Sequence, residues 1–347
     1  MDPVSHFAGG LLIGRAFRLP LVAGMWLLVL CGLAAVALDV EYLAMLAGPE
    51  SFLTHYRGVS HSIAVTLCVG LLLFLASLPM RGFSPRRGIL AVVMFAAFSH
   101  LYIDAFTIYG IKPLAPFSEY RIAMDAVWFF DPIYLLLLAI LLLGPIIFRT
   151  RGRISGWLGI VLILAYPWGM VGAKYWSADV AHDHLVKTNS PLAEAASVHP
   201  DFLSPFFWKV VSRNEHAYEV RSFNVLSRSL DQIPTLYEVA PASLMGRLAQ
   251  ESEVVAAFLS RARMPVIFRR EGGDTTSLVV ADLNMISATP WIKSAQPNGA
   301  PPMSLLVELG LDGALLDARM RYLGRYLSLE ELPVSPQADA SNASNPE

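Results

Sequence analysis

Apolar residues run almost unbroken in five stretches of the first half of the chain, roughly Pro20 to Leu38, Ser62 to Leu78, Ile89 to Tyr109, Ile133 to Phe148 and Ile154 to Ala173. Each is near the ~20 residues a helix needs to cross bilayer hydrocarbon, where backbone N–H and C=O groups must be satisfied within the segment. The pattern predicts about five transmembrane helices. Ahead of them, "HFAGGLLIGRAFRLP" is apolar but too short to cross, and Gly10 and Gly14 form a GxxxG pair that permits close helix packing. If this short N-terminal helix turns at Leu19-Pro20 into the first span, His6 and Asp39 reach the same outer face. The alternative is a cytoplasmic amphipathic helix that puts His6 on the wrong side.

Beyond Lys174 the pattern changes. "EHAYEVRSFNVL", "MPVIFRREGGDTTSLVVADL" and "PMSLLVELGLDGALLDARM" are strand-like, the last two interrupted by Gly272-Gly273-Asp274 and Asp312-Gly313, which are hairpin signals. Between them "ASLMGRLAQESEVVAAFLSRA" reads as helix. The predicted organisation is a mainly α membrane bundle over residues 1–174, a small α+β domain over 175–332 and a disordered tail over 333–347, rich in Pro, Ser, Asn and Ala. No internal repeat is visible.

Charge adds an orientation. Arg81, Arg86 and Arg87 lie between the second and third apolar stretches, and Arg149, Arg151 and Arg153 between the fourth and fifth. Excess positive charge in short loops marks the cytoplasmic side. The remaining loops carry Asp39, Glu41, Glu50, Glu119, Asp125 and Asp131, so by parity the domain after Lys174 is expected to be extracytoplasmic. Asp125 and Asp131 are expected to cap the fourth span beside an aromatic belt of Trp128, Phe129, Phe130 and Tyr134. Of the 347 residues 55% are hydrophobic and only 16% charged, which excludes an ordinary soluble domain. A net charge of -2 with no long basic tract points to no nucleic-acid partner. Cys31 and Cys68 fall in apolar runs and read as small buried side chains. The amino terminus lacks a basic leader and does not read as a cleaved signal peptide.

The candidate chemistry lies where polar residues meet the apolar runs, because ionisable groups there are costly and face a polar interior. In the third span "FSHLYIDAF" sets His100 and Asp104 four residues apart, on one helical face. Asp39 and Glu41 close the first span, and "THYRGVSHS" places His55, Arg57 and His61 before the second. Three segments thus supply ligand-type residues at one level. Imidazole with carboxylate suits a divalent metal, zinc first, with manganese or iron as alternatives. Gly58 is expected to let the chain turn, Arg57 to offer its fork to a phosphate or carboxylate, His61 to reach the metal and Ser62 to cap the second span. The plainer alternatives are a self-satisfied His100–Asp104 pair and a solvated loop with a snorkelling arginine. His182 and His184 read as a surface loop or helix end. There is no G-x-S-x-G elbow, H-E-x-x-H or Walker-type loop.

The ordered set of His6, "LDVE" (38–41), "YRGVSHS" (56–62) and "SHLYID" (99–104) resembles the LexA-regulated inner-membrane metal-dependent hydrolases called YdjM-like, over roughly residues 1–135. The family pattern is an N-terminal histidine, P-D-x-D, H-R-G-x-T-H-S and S-H-x-x-x-D. Here Leu38 replaces the proline, Glu41 the second aspartate and Tyr56 the first histidine, with His55 displaced by one. The resemblance implies a multi-pass protein of the bacterial cytoplasmic (inner) membrane. It implies His6, Asp39, Glu41, His61, His100 and Asp104 as metal ligands, with Arg57 and His55 as catalytic candidates. The implied activity is metal-dependent hydrolysis, without a named substrate. A phosphoester or lipid-like molecule arriving laterally from membrane lipid at the outer face suits the arginine. The other readings are a transporter or ion relay using the same cluster, and a membrane anchor for a partner-binding C-terminal domain.

Overall fold

The computed structural model describes residues 1–17, 21–47, 49–79, 86–150, 152–188, 193–272, 275–295 and 303–320. All five apolar stretches are helical. Helix α1 (Pro3–Ala16) precedes α2 (Leu21–Val36), which continues as a 3-10 segment, Ala37–Ala47. Then come α3 (Pro49–His55), a 3-10 turn at Val59–His61, α4 (Ile63–Ser77), α5 (Arg86–Ala105), α6 (Pro132–Ile147) and α7 (Arg153–Lys187). Among the described residues three segments are long and apolar enough to cross a bilayer: Ala23–Ala44, Arg86–Ala105 and Arg153–Lys187. The other two, Ile63–Ser77 and Pro132–Ile147, are apolar but shorter. At 1.5 Å per residue each rises only about 23 Å, less than the ~30 Å hydrocarbon core.

Contacts form two compact units, Met1–Tyr175 with Phe202–Pro205, and Trp176–Asp201 with the chain from Phe206 onward. In the first, α1 lies directly on α2. A Cβ on Gly10 would stand 2.3 Å from the Cys31 carbonyl oxygen and 2.8 Å from Ala35 Cβ, so only glycine permits this approach. The other GxxxG residue, Gly14, has Leu27 and Leu28 backbone at 3.0 Å from the same hypothetical atom. The third apolar stretch stops being helical at Ala105, four residues before its apolar run ends. Thr107 takes the Asp104 carbonyl through both its N–H (3.1 Å) and its hydroxyl (2.8 Å), and Gly110 then turns with φ +61.

Asp131 caps α6, its carboxylate accepting the N–H groups of Ile133 (2.9 Å) and Tyr134 (3.0 Å). Asp125 does not cap; it pairs with Lys174 of α7 at 3.0 Å. The expected aromatic belt is also partly internal. Tyr134 and Trp128 are buried, Trp128 against Phe129 and Phe202. Cys31 is buried as expected, whereas Cys68 is exposed on α4.

The second unit is a nine-stranded antiparallel sheet: β1 (Ser197–Pro200), β2 (Phe207–Arg213), β3 (Ala217–Asn224), β4 (Ser229–Leu230), β5 (Thr235–Val239), β6 (Pro265–Gly272), β7 (Thr275–Asp282), β8 (Leu305–Gly310) and β9 (Leu315–Met320). Its order is β1-β2-β3-β5-β6-β7-β8-β9, with β4 paired to β3. The hairpins β6–β7 and β8–β9 stand where the sequence signals them, although Gly273 and Asp274 lie outside the described residues. The expected helix is two, α8 (Ala242–Glu251) and α9 (Glu253–Leu259), because Ser252 is extended (φ -143, ψ 122). A last short helix, α10, covers Pro290–Ala295. Val211, Tyr218, Val220, Val266, Ala281 and Leu283 form the core of the sheet. His182 and His184 lie in the final turns of α7, and the residues from Pro333 lie outside the described part of the chain.

Candidate metal centre

The first unit gathers seven of the eight residues singled out in the sequence. His6 comes from α1, Asp39 and Glu41 from the 3-10 segment after α2, Arg57 and His61 from the turn before α4, and His100 and Asp104 from the last turns of α5. None is more than 6% exposed. His55 is not among them: it is exposed, its Nδ1 meeting the Ser51 carbonyl 2.7 Å away.

Local geometry explains how the turn delivers its side chains. Arg57, not Gly58, takes the left-handed conformation, with φ +50 against -88 at Gly58. A non-glycine residue there carries a strain of order 1–2 kcal/mol, which its surroundings must offset. The Arg57 N–H donates to Glu41 Oε1 at 2.7 Å. Its guanidinium donates to Thr107 Oγ1 (2.5 Å), Asp104 Oδ1 (3.2 Å) and, at the limit, Gly110 O (3.5 Å). The fork therefore holds the protein's own Asp104. Ser62 caps α4 by accepting Val65 N–H at 3.3 Å, as its position before the apolar run suggested.

The imidazoles are fixed from behind. His100 Nδ1 lies 2.7 Å from the Ala35 carbonyl, which can only accept, so Nδ1 carries a proton and the ring turns Nε2 towards the cluster. His61 Nδ1 lies 2.9 Å from Ser60 Oγ and 3.5 Å from Glu41 Oε2, and Ser60 Oγ itself donates to that oxygen. Ser60 Oγ thus links the Glu41 carboxylate to the back of the His61 ring. The two Nε2 atoms then face each other at 3.0 Å. At that separation the two nitrogens can share a proton or hold a cation between them.

The carboxylates complete the shape. Asp104 Oδ2 is 3.2 Å from His61 Nε2 and 3.5 Å from His100 Nε2; Asp39 Oδ1 is 3.8 and 3.7 Å from the same atoms. Four donors set about 2.0–2.2 Å from a central ion at tetrahedral angles stand about 3.3–3.6 Å apart, and these five separations bracket that range. Asp39 Oδ2 is buried and makes no hydrogen bond, and Asp104 Oδ2 makes none either but has the Arg57 guanidinium 3.2 Å away. Three overlapping groups have donor atoms within 4.8 Å of one another, His6–Asp39–His100, His61–His100–Asp104 and Asp39–Glu41–His61. His6 stacks on His100 (ring centres 3.7 Å apart, planes 15° apart) with Nε2 3.3 Å from Asp104 Oδ1, and the Met1 amino nitrogen contacts the same oxygen. These residues can hold a metal ion.

Ser60, Thr107 and the Ala35 carbonyl are the contributors that sequence reasoning missed. Ser60 stands inside the "YRGVSHS" run and Thr107 three residues beyond Asp104, so both lie beside a signal without being one. The model of the YdjM inner membrane protein family matches residues 1–178, just over half of the chain and all of the gathered residues. The chain belongs to this family. No curated protein and no solved structure matches it. The YdjM match takes in every apolar helix through most of α7 and stops before the sheet. With that family and its apolar helices, this is an inner-membrane protein.

Proposed function

We propose that the protein is a metal-dependent hydrolase of the cytoplasmic membrane, acting on a phosphoester or a similar lipid-like ester. The observation that carries this reading is the pair of Nε2 atoms 3.0 Å apart, with Asp104 Oδ2 and Asp39 Oδ1 each within 3.8 Å of both. Asp39, Glu41 and Asp104 against Arg57 and the Met1 amino group leave an excess of one negative charge, which favours a bound cation. Two imidazoles and two carboxylates at these spacings suit zinc best, with manganese or iron next. His61, His100, Asp39 and Asp104 are the residues that would hold it, and His6 adds an imidazole on the Asp39–His100 side. When bound, such an ion supplies Lewis-acid polarisation and activates water near neutral pH.

The chain's other residues set the stage. Both Glu41 oxygens take protein donors, from Arg57 N–H and Ser60 Oγ, so Glu41 orients His61 and braces the turn. Arg57 offsets the charge of Asp104 and, through its guanidinium, holds Asp104 and Thr107 in place. We propose that the site opens at the outer face of the membrane and that the chain after Lys174 is extracytoplasmic. Elemental analysis of detergent-purified protein, followed by turnover of a panel of phosphoesters, tests the reading. Stoichiometric zinc with metal-dependent turnover is expected. A metal-free protein, or one that binds metal and cleaves no ester, overturns it.

One observation favours a second reading. The whole constellation is closed off from the surface, as in an ion relay, where bond cleavage is not needed. Metal flux or proton movement in proteoliposomes without ester turnover would select it.

A further inference from the structure

Helices α6 and α7 are joined by a short connection, yet an open groove runs between them. Its apolar stretch encloses about 460 Å³ between Leu137, Ile140 and Leu141 on α6 and Val161, Leu162 and Ala165 on α7. It continues, past the shared Ile140, Leu141 and Leu158, into a space of about 680 Å³ that ends at Arg149, Thr150 and Ser155. From Ser155 to Tyr166 the groove follows about 16 Å of helix, close to the ~15 Å of one leaflet's hydrocarbon.

The floor is built. Pro145 has no N–H to give the Leu141 carbonyl, and Arg15 of α1 takes over, donating to Leu141 O (3.3 Å) and Leu142 O (2.7 Å). α1 also packs against α7, where a Cβ on Gly156 would stand 2.4 Å from Ala16 N and one on Gly159 2.6 Å from Leu12 Cβ. Wedged against both helices, α1 keeps them apart. The polar end is cationic. Arg149 is exposed, sits at φ +51, and among the described residues makes no hydrogen bond or ion pair with protein. No Asp or Glu occurs between residues 132 and 178, so nothing acidic on α6 or on the groove-lining part of α7 competes for it.

We propose that this groove is a binding site for an anionic phospholipid, its acyl chain lying along Ile140, Leu158 and Val161 and its phosphate meeting Arg149 and the Thr150 hydroxyl. Basic pockets between membrane helices select anionic headgroups through charge while the chain supplies non-selective affinity. The site lies apart from the candidate metal centre and does not depend on the hydrolase reading.

The test is native mass spectrometry of the full-length protein, delipidated and titrated with dioleoylphosphatidylglycerol or dioleoylphosphatidylethanolamine. The parent is expected to prefer the anionic lipid by about fivefold, the weight of one surface cation. Arg149→Gln, at an exposed residue that holds nothing in the fold, should erase the preference while both lipids still bind. Leu158→Trp, which fills the groove, should remove one bound lipid of either kind with metal content unchanged. A parent without headgroup preference, an Arg149→Gln variant that keeps the parental ratio, or a Leu158→Trp variant with undiminished lipid count would each overturn the proposal.

Discussion

Replacing Arg57 by methionine tests whether the site is held together by one buried ion pair. The guanidinium nitrogen lies 3.2 Å from each Asp104 oxygen, and Asp104 is fully buried. At an effective dielectric of about 20 the gross attraction is roughly 5 kcal/mol, much of it offset by the loss of hydration. Deleting this cation leaves buried Asp104 with the Met1 amino group and the imidazoles alone, so Arg57→Met should cost up to about 3–5 kcal/mol with metal removed by chelator. Asp104→Asn should cost a comparable amount by stranding the arginine. The double variant should cost less than the sum, with a coupling of about 2–3 kcal/mol. Cys31 provides the assay: it is fully buried, and with exposed Cys68 changed to serine it is the chain's one thiol. Its labelling rate across a denaturant series reports opening of the α1–α2 contact. Excess zinc should shrink the cost of Arg57→Met, because a divalent ion beside Asp104 replaces the missing charge. Costs additive to within about 0.5 kcal/mol in chelator would refute the reasoning and make Arg57 and Asp104 independent of each other.

Three further outcomes are expected. His61→Ala, His100→Ala or Asp104→Ala should each strip most bound metal, whereas Glu41→Gln and Ser60→Ala, which only orient His61, should weaken metal affinity by about 10–100-fold in competition with a chelating dye; equal losses in both classes would make Glu41 a ligand. Gly10→Val should drive α1 off α2, since even a Cβ meets the Cys31 carbonyl at 2.3 Å, and metal should fall with it because His6 leaves the cluster; parental metal content would show that α1 plays no part. A periplasmic reporter fused after Lys174 should be active, as the arginine-rich connections on the opposite side require, and cytoplasmic activity there would invert the proposed orientation.

The sequence by itself determined the elements whose logic is local. Bilayer hydrocarbon allows few backbone solutions, so apolar runs marked all five helices, and Gly-rich punctuation marked the β6–β7 and β8–β9 hairpins. The i, i+4 spacing of His100 and Asp104 put both on one face of α5 without any knowledge of their neighbours. Tertiary contacts decided the rest. The left-handed residue is Arg57 rather than Gly58 because Glu41, sixteen positions earlier, takes its N–H. α5 stops at Ala105 within an apolar run because Thr107 closes on Asp104 and is itself bound by Arg57, fifty positions away. Asp125 left its expected cap for Lys174, and β1, β4 and β5, too short to stand out, exist through their places in the sheet. Periodicity fixes which face a side chain occupies, but the partner that face meets depends on contacts between residues far apart in the chain, whose energies no local pattern records.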